Sequence, residues 1–263
     1  NVVGGGSLAW LTGLRMSDLP MRWDARVIRY LEFFRDDTRG RRVIAAWYRR
    51  SGRYRELIQE QLRAQGLPED LAWVALAESG YDPFARSRVG ASGLWQFMPE
   101  TAKLYGLSVD RWADGRTSPL RSTQAAIRFL GDLYRRLGTW ELALASYNVG
   151  YGAVLGTIKR FNTNDYWELS RYENGLPWET TLYVPKILAL AIVHRNPRAF
   201  GLDTVSVDPS LDGDHVDVPA GSELTAVASA AGCSAKELQG LNPELKAGRA
   251  PPSAGSPRPG VQG

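Results

Sequence analysis

Cysteine and histidine are nearly absent from this 263-residue chain. The single cysteine, Cys233, excludes an intrachain disulfide and leaves no set of thiolates for a zinc or iron–sulfur site. Two histidines, His194 and His215, give little material for a Ser–His pair or a multi-histidine metal centre, and both read as structural or surface residues. No stretch approaches the roughly 18–20 apolar residues that span a bilayer. A Gly-rich phosphate loop ending in Lys-Ser/Thr, a G-x-S-x-G elbow and an EF-hand calcium loop are also missing, so neither a metal nor a cofactor is expected. The chain starts at Asn1 with no charged segment leading into an apolar one. It reads as processed or fragmentary, and a membrane anchor outside the visible chain stays open.

Hydrophobic residues make up 44% and charged residues 23%, the balance of a soluble globular protein. The length allows one or two domains. The net charge of +4 is uneven. Residues 1–63 hold 13 arginines against 7 acids, whereas residues 202–263 hold 4 basic side chains against 8 acids. A basic N-terminal part with interleaved aromatics could meet nucleic acid, anionic lipid or an anionic polymer. The plainer reading is a solvated helix surface, and nucleic acid is not expected as a partner. Nine Trp and eleven Tyr are many for this length; some belong to the core, and aromatic faces also line sugar-binding clefts.

Residues 1–22, opened by a Gly triplet, read as a loose lead-in. From Asp24 the spacing turns helical, with Val27, Tyr30, Leu31 and Phe34 on one face. Further helices are expected over 38–50, 53–65, 69–79, 99–105, 119–137, 140–148, 153–161 and 182–194. Gly66, Gly138 and Asn196-Pro197 act as stops, and Pro68, Pro99 and Pro119 as starts. Residues 80–98 and 162–178 read as loops. After Phe200 the pattern changes: acid-flanked Val runs over 203–219 suit strands, two short helices follow over 222–231 and 234–240, and 248–263 reads as a disordered tail. The expected organisation is a lead-in at 1–22, a helical domain at 23–201 and a small module at 202–263.

Leu71, Val74, Ala75 and Glu78 stand at i, i+3, i+4 and i+7, so a carboxyl shares the apolar stripe of a helix. Glu78 also lies in the last turn, before Gly80. Burial and the negative end of the helix dipole both raise a carboxyl pKa. A carboxylic acid that keeps its proton near neutrality suits general acid catalysis. On spacing alone, an ion pair with Arg86 or Arg88 is an equal alternative.

The surrounding blocks break the tie. They are Glu78-Ser79-Gly80-Tyr81-Asp82-Pro83, then Ser87-Arg88-Val89-Gly90-Ala91-Ser92-Gly93-Leu94-Trp95-Gln96-Phe97-Met98-Pro99, then Ala145-Ser146-Tyr147-Asn148-Val149-Gly150, then Glu179-Thr180-Thr181-Leu182-Tyr183-Val184-Pro185. In this order and spacing they resemble the family 1 lytic transglycosylases of bacterial cell walls, and among them the MltD type, over residues 24–200. The resemblance implies a mainly α, lysozyme-like domain that cleaves the MurNAc–GlcNAc β-1,4 bond of peptidoglycan and leaves 1,6-anhydro-MurNAc ends.

The family uses one carboxyl, and Glu78 holds its position. Glycosidases normally need two placed carboxylates; only one convincing candidate is visible, and the sugar's own C6 hydroxyl replaces the second. By the same resemblance Ser87 helps the second step and Gln96 meets the sugar amides. Tyr147 and Asn148 face the acid and the acetamido group, and Glu179 and Tyr183 line the cleft. Met98 is either an apolar cleft wall or core. Gly90 and Gly93 would let the backbone run close to a polymer. The implied setting is a monomer acting on peptidoglycan glycan strands in the bacterial envelope, in the periplasm and associated with the outer membrane. A hydrolase on the same fold and a non-catalytic wall binder are the competing readings.

Val216-Asp217-Val218-Pro219-Ala220-Gly221, followed by Leu224, Leu238 and Leu241-Asn242-Pro243, resembles a LysM module, a small α+β unit that binds N-acetylglucosamine polymers. The usual Gly-Asp-Thr is Gly221-Ser222-Glu223 here, and the closing strand is not visible in the sequence. A spacer role is therefore as reasonable for this module as glycan binding. Cys233 reads as a small core residue.

Overall fold

The computed structural model describes residues 8–211, 215–252 and 260–262. Apolar residues at helical spacing decide most of it. Helix α1 (Ala25–Asp36) starts on the Asp24 carboxylate, which accepts from Arg26 N, and buries Val27, Ile28, Leu31 and Phe34. Helix α2 (Thr38–Ala64) starts on Asp37, which accepts from Arg39 N and Gly40 N, and buries Ile44, Tyr54, Ile58 and Leu62.

The two helices expected over 38–65 are thus one. Ser51 and Gly52 looked like a break, yet the helix runs through them. Ser51 Oγ bonds back to Tyr48 O at 2.7 Å, and a Cβ at residue 52 would lie 2.3 Å from Asp208 O. The glycine thins the helix so that another backbone can cross it. That backbone is the 203–211 segment expected as strand. Its amides donate to helix carbonyls instead of a neighbouring strand, Asp208 N to Arg49 O at 2.8 Å and Leu211 N to Arg53 O at 3.0 Å.

A 3₁₀ turn at Glu69–Leu71 leads into α3 (Ala72–Ser79), which buries Ala72 to Leu76 and ends at Gly80 with φ +62°. Helices α4 (Pro99–Leu104) and α5 (Pro119–Leu137) open on the expected prolines. Helix α6 (Trp140–Val149) precedes α7 (Tyr151–Phe161), and Gly150 (φ +94°) turns the chain between them. A single turn, α8 (Tyr166–Leu169), capped by Asp165, stands inside the expected 162–178 loop. One turn is too short to show periodicity in sequence.

Helix α9 (Trp178–Arg195) begins four residues before the expected start and runs through Pro185. Proline cannot donate to the carbonyl one turn back. That carbonyl, Thr181 O, accepts from Tyr166 OH at 3.0 Å and Arg26 Nη1 at 3.1 Å, which offsets the lost bond. Nearly every residue of α9 from Tyr183 to His194 is buried, with α1, α3 and α6 packed around it. His194, stacked on Trp73 at 3.8 Å, is buried, which pushes its pKa down to about 4.

Residues 8–22, expected to be loose, are tied down. Trp10 packs edge-on to Phe200 and under the Arg35 guanidinium, Ser17 Oγ and Asp18 N donate to Asp70, and Leu19 is buried. No described helix is long and apolar enough to cross a membrane.

A second, smaller core gathers Leu224, Ala228, Leu238 and Leu245. It belongs to β1 (His215–Asp217), α10 (Leu224–Ala231), α11 (Ala235–Leu241) and β2 (Gly260–Gln262), in the order βααβ. The strands are antiparallel, with Val216 opposite Val261. The closing strand is therefore present. It was hidden because it follows a Pro-, Gly- and Ser-rich stretch. Of the expected tail, residues 253–259 and 263 lie outside the described residues. The mainly α body with a small α+β unit is the fold class expected.

Candidate active site

Glu78 occupies the last turn of α3, and the chain leaves that helix through a turn held from several sides. Arg50 Nη1 donates to Gly80 O at 2.6 Å and Ser79 Oγ to Leu94 O at 2.8 Å. Tyr81, with φ +59°, is fully buried and its hydroxyl returns to Ala72 O at 2.8 Å. The following loop folds back as a compact unit. Ser87 N donates to Ala91 O and Ala91 N to Ser87 Oγ, each at 2.9 Å. Gln96, at φ +49°, uses both amide hydrogens on loop carbonyls, Gly93 O at 2.8 Å and Ala85 O at 3.1 Å. Buried Trp95 anchors the loop by donating to Thr123 Oγ1 at 3.0 Å.

Two distant helices complete the constellation. From α9, Tyr183 OH donates to Glu78 Oε1 at 2.5 Å. One turn on, Lys186 Nζ donates to Ala77 O at 2.8 Å and lies 5.3 Å from the centroid of the Trp47 ring. From the end of α6, Tyr147 OH donates to Trp95 O at 2.7 Å, and Asn148 Oδ1 accepts from Thr180 Oγ1 at 2.7 Å. Met98 is partly exposed and lines a cavity of about 260 Å³ with Gln96, Phe129, Ser146, Tyr147 and Asn148. Glu179 is exposed at the start of α9.

Burial lifts the Glu78 carboxyl from 4.5 to about 7, against the Tyr183 hydrogen bond and the Lys186 charge, which favour the ionised form, and the Glu179 charge adds to the rise. Burial, followed by the Glu78 charge, holds Tyr147 and Tyr183 well above the ordinary tyrosine range, so both remain donors. Burial pushes Lys186 down, and the Glu78 and Glu179 charges oppose that. The site can hold one proton on Glu78 near neutrality, and the Tyr183 hydroxyl and the Lys186 charge favour the carboxylate once it leaves.

The alternative of an Arg86 or Arg88 partner for Glu78 does not hold. The hydrogen bond to the carboxyl comes from Tyr183. Tyr147, Tyr183 and Glu179 converge electrostatically on Glu78, whereas Gln96, Met98, Tyr147 and Asn148 share the cavity. The Ser87 hydroxyl instead accepts within its own turn. Gly93, read as an approach point for a polymer, serves internal packing: at φ +84°, a Cβ there would lie 1.8 Å from Arg116 O.

Sequence reasoning missed Lys186 and Ser146. Glu179, Tyr183 and Lys186 stand at i, i+4 and i+7 of α9, a spacing that could have exposed the lysine. Ser146 Oγ is buried at the cavity with no hydrogen-bond partner among the described residues; it stands in the 145–150 block, but its spacing alone does not show that its hydroxyl faces the cavity.

Residues 56–170, which hold Glu78, the Gln96 loop and Tyr147, match the transglycosylase SLT domain. Residues 213–258 match the LysM-like domain of lytic transglycosylase MltD. The helical body therefore carries an SLT domain. The C-terminal unit matches a LysM-like domain of the MltD type, and both matches are to domains of lytic transglycosylases.

Membrane-bound lytic murein transglycosylase D of Escherichia coli K12 is 34% identical over 198 residues, covering 73% of this chain and 43% of the relative. Membrane-bound lytic murein transglycosylase F of Desulfosudis oleivorans is 34% identical over 115 residues, covering 41% of this chain and 24% of that one. Among solved structures, an inactive mutant of lytic transglycosylase Slt from Pseudomonas aeruginosa aligns with a TM-score of 0.45 at 24% identity, covering 59% of this chain and 25% of that chain. The chain spans less than half the length of the curated relatives just named.

Proposed function

We propose that this chain is a peptidoglycan lytic transglycosylase, with Glu78 as its single acid and base. The protonated Glu78 carboxyl gives its proton to the glycosidic oxygen as the MurNAc C1–O bond breaks, and the GlcNAc side leaves with a free 4-hydroxyl. The resulting carboxylate takes the proton of the MurNAc C6 hydroxyl, whose oxygen bonds to C1. Charge and atoms balance, no water enters, and Glu78 ends as it began. Tyr183 steadies the carboxylate between the two steps. With both amide hydrogens engaged, Gln96 offers only its carbonyl oxygen, which suits a sugar acetamido N–H. Asn148 and Tyr147 face the same sugar, Met98 gives an apolar wall, Glu179 lines the entrance, and Ser87 shapes the loop opposite.

The observation that carries this reading is the Glu78 carboxyl, which lies within the SLT match, is raised to about 7 by burial and is bonded to Tyr183 of α9. Digestion of purified sacculi with mass analysis of the muropeptides tests it. Products lighter than reducing-end fragments by one water are expected. Reducing ends would make the enzyme a hydrolase, and intact sacculi a wall binder.

The setting that goes with this activity is the bacterial envelope, on the periplasmic side and associated with the outer membrane, with the enzyme acting as a monomer. The proposed division is a lead-in at 1–22, the catalytic domain at 23–201 and the LysM-like module at 202–263, with residues 8–22 and 203–211 lying against the helices of the catalytic domain.

A further inference from the structure

The LysM-like unit is stitched to the body along one short segment. Residues 242–246, which follow α11, run antiparallel to residues 112–114. Leu245 pairs with Ala113 in a β-bridge, Asp114 N donates to Glu244 O at 2.9 Å, and Lys246 N donates to Trp112 O at 2.8 Å. The Lys246 ammonium adds a bond to Asp110 O at 2.6 Å. Leu245 is also one of the four buried residues of the unit's own core, so the seam and that core share a side chain.

The body side of the seam leads directly to the loop that follows Glu78. Asp114 and Arg116 form a buried pair at 2.8 Å, their side chains 4% and 9% exposed. The same guanidinium donates to Gly90 O at 2.7 Å and Phe97 O at 3.1 Å. Arg116 O fills the space left by the missing side chain of Gly93. Arg116 therefore touches both ends and the middle of the segment that sets Gln96 and Met98 beside the cavity. Asp114, which fixes Arg116, is itself held through its backbone by Glu244.

We propose that the LysM-like module is a brace for the site: by docking residues 242–246 on residues 112–114 it holds Arg116, and through Arg116 the 90–97 loop, in the shape that presents Gln96 and Met98. Its contribution is positional and is felt by a substrate that never touches the module. The catalytic half of this statement rests on the proposed transglycosylase activity; the mechanical half does not.

Lys246→Pro in the full chain tests both halves, because it deletes the amide donor to Trp112 O and the ammonium bond to Asp110 O together. Amide exchange is the first readout. Ser92 N–H, bonded to Phe97 O, and Gly93 N–H, bonded to Ala85 O, report the loop, whereas amides of Leu224–Ala231 report the module's fold. Loop exchange should rise roughly five- to tenfold, the scale set by losing one or two hydrogen bonds, with Leu224–Ala231 unchanged. Turnover of a soluble GlcNAc–MurNAc tetrasaccharide is the second readout, and kcat/KM should fall with KM raised, because Gln96 and Met98 are placed to hold the sugar.

Should Lys246→Pro unfold the module, Lys246→Met breaks only the ammonium bond and should shift both readouts in the same direction by less. Arg116→Lys cuts the link from the other side while keeping the charge beside Asp114, and should reproduce the loop exchange with the seam intact. Unchanged loop exchange in Lys246→Pro and Arg116→Lys overturns the brace. Faster exchange with unchanged tetrasaccharide turnover overturns its bearing on catalysis. A parent protein inactive on every glycan, with exchange responding as described, refutes the proposed activity and leaves the mechanical coupling standing.

Discussion

Replacing Glu78 with Gln should make the protein more stable above neutral pH while removing its activity, and the pH dependence of the gain can be worked out. The carboxyl titrates at 4.5 in the unfolded chain and at about 7 when folded, with burial as the main cause. Below pH 4.5 both states carry the proton and the group contributes nothing to the pH dependence. Between 4.5 and about 7 the unfolded chain loses its proton while the folded one keeps it, so stability drops as pH rises. Above about 7 the loss is complete. The interval corresponds to about 3 kcal/mol at 1.36 kcal/mol per unit.

Glutamine has the same shape, accepts from Tyr183 as the carboxylate does, and does not ionise. Its amide hydrogens cost about 1 kcal/mol if they find no partner, but that cost does not vary with pH. Urea melts of parent and Glu78→Gln at intervals from pH 4 to 8.5 would isolate the effect. The variant should lie close to or slightly below the parent at pH 4 and gain on it by up to about 3 kcal/mol by pH 8. A stability difference that is flat across the range, or that favours the parent at alkaline pH, would refute a buried carboxyl that retains its proton. Sacculus digestion by the same variant should fall by roughly 10³-fold or more.

Three other outcomes follow from the same contacts. Tyr183→Phe removes a hydrogen bond that favours the ionised carboxyl, so the alkaline limb of the pH–rate profile should move up, by about one unit if the bond is worth ~1.4 kcal/mol; an unmoved limb would mean the tyrosine does not sense Glu78. Lys186→Met deletes the nearby positive charge and should shift that limb the same way, with stability lower by roughly 1–3 kcal/mol from the unpartnered Ala77 carbonyl; chemical denaturation and rates on one preparation check both. Gly93→Ala, at φ +84° and facing Arg116 O, should destabilise by roughly 2–4 kcal/mol in thermal melts, and a variant as stable as the parent would show that the loop does not pack on Arg116.

What the sequence determined by itself was whatever local pattern encodes. Periodicity and the Gly and Pro stops gave most helices of the body, because burial of one face repeats every turn. The spacing Leu71, Val74, Ala75, Glu78 gave a carboxyl on an apolar face, and so the direction of its pKa. Ordered blocks gave the SLT and LysM-like resemblance.

Three kinds of feature depended on the tertiary structure. Gly52 looks like a break until the 207–208 backbone is seen crossing it; a glycine in sequence does not say whether it ends a helix or admits a neighbour. Pro185 stays inside α9 because Tyr166 and Arg26, far off in the chain, satisfy Thr181 O. The partner of Glu78 is Tyr183, 105 residues away, and not a nearby arginine, because α9 passes beside the end of α3 and burial there favours a neutral donor over an ion pair. Side-chain periodicity fixes which face is buried, whereas the atoms met there depend on which helices pack together.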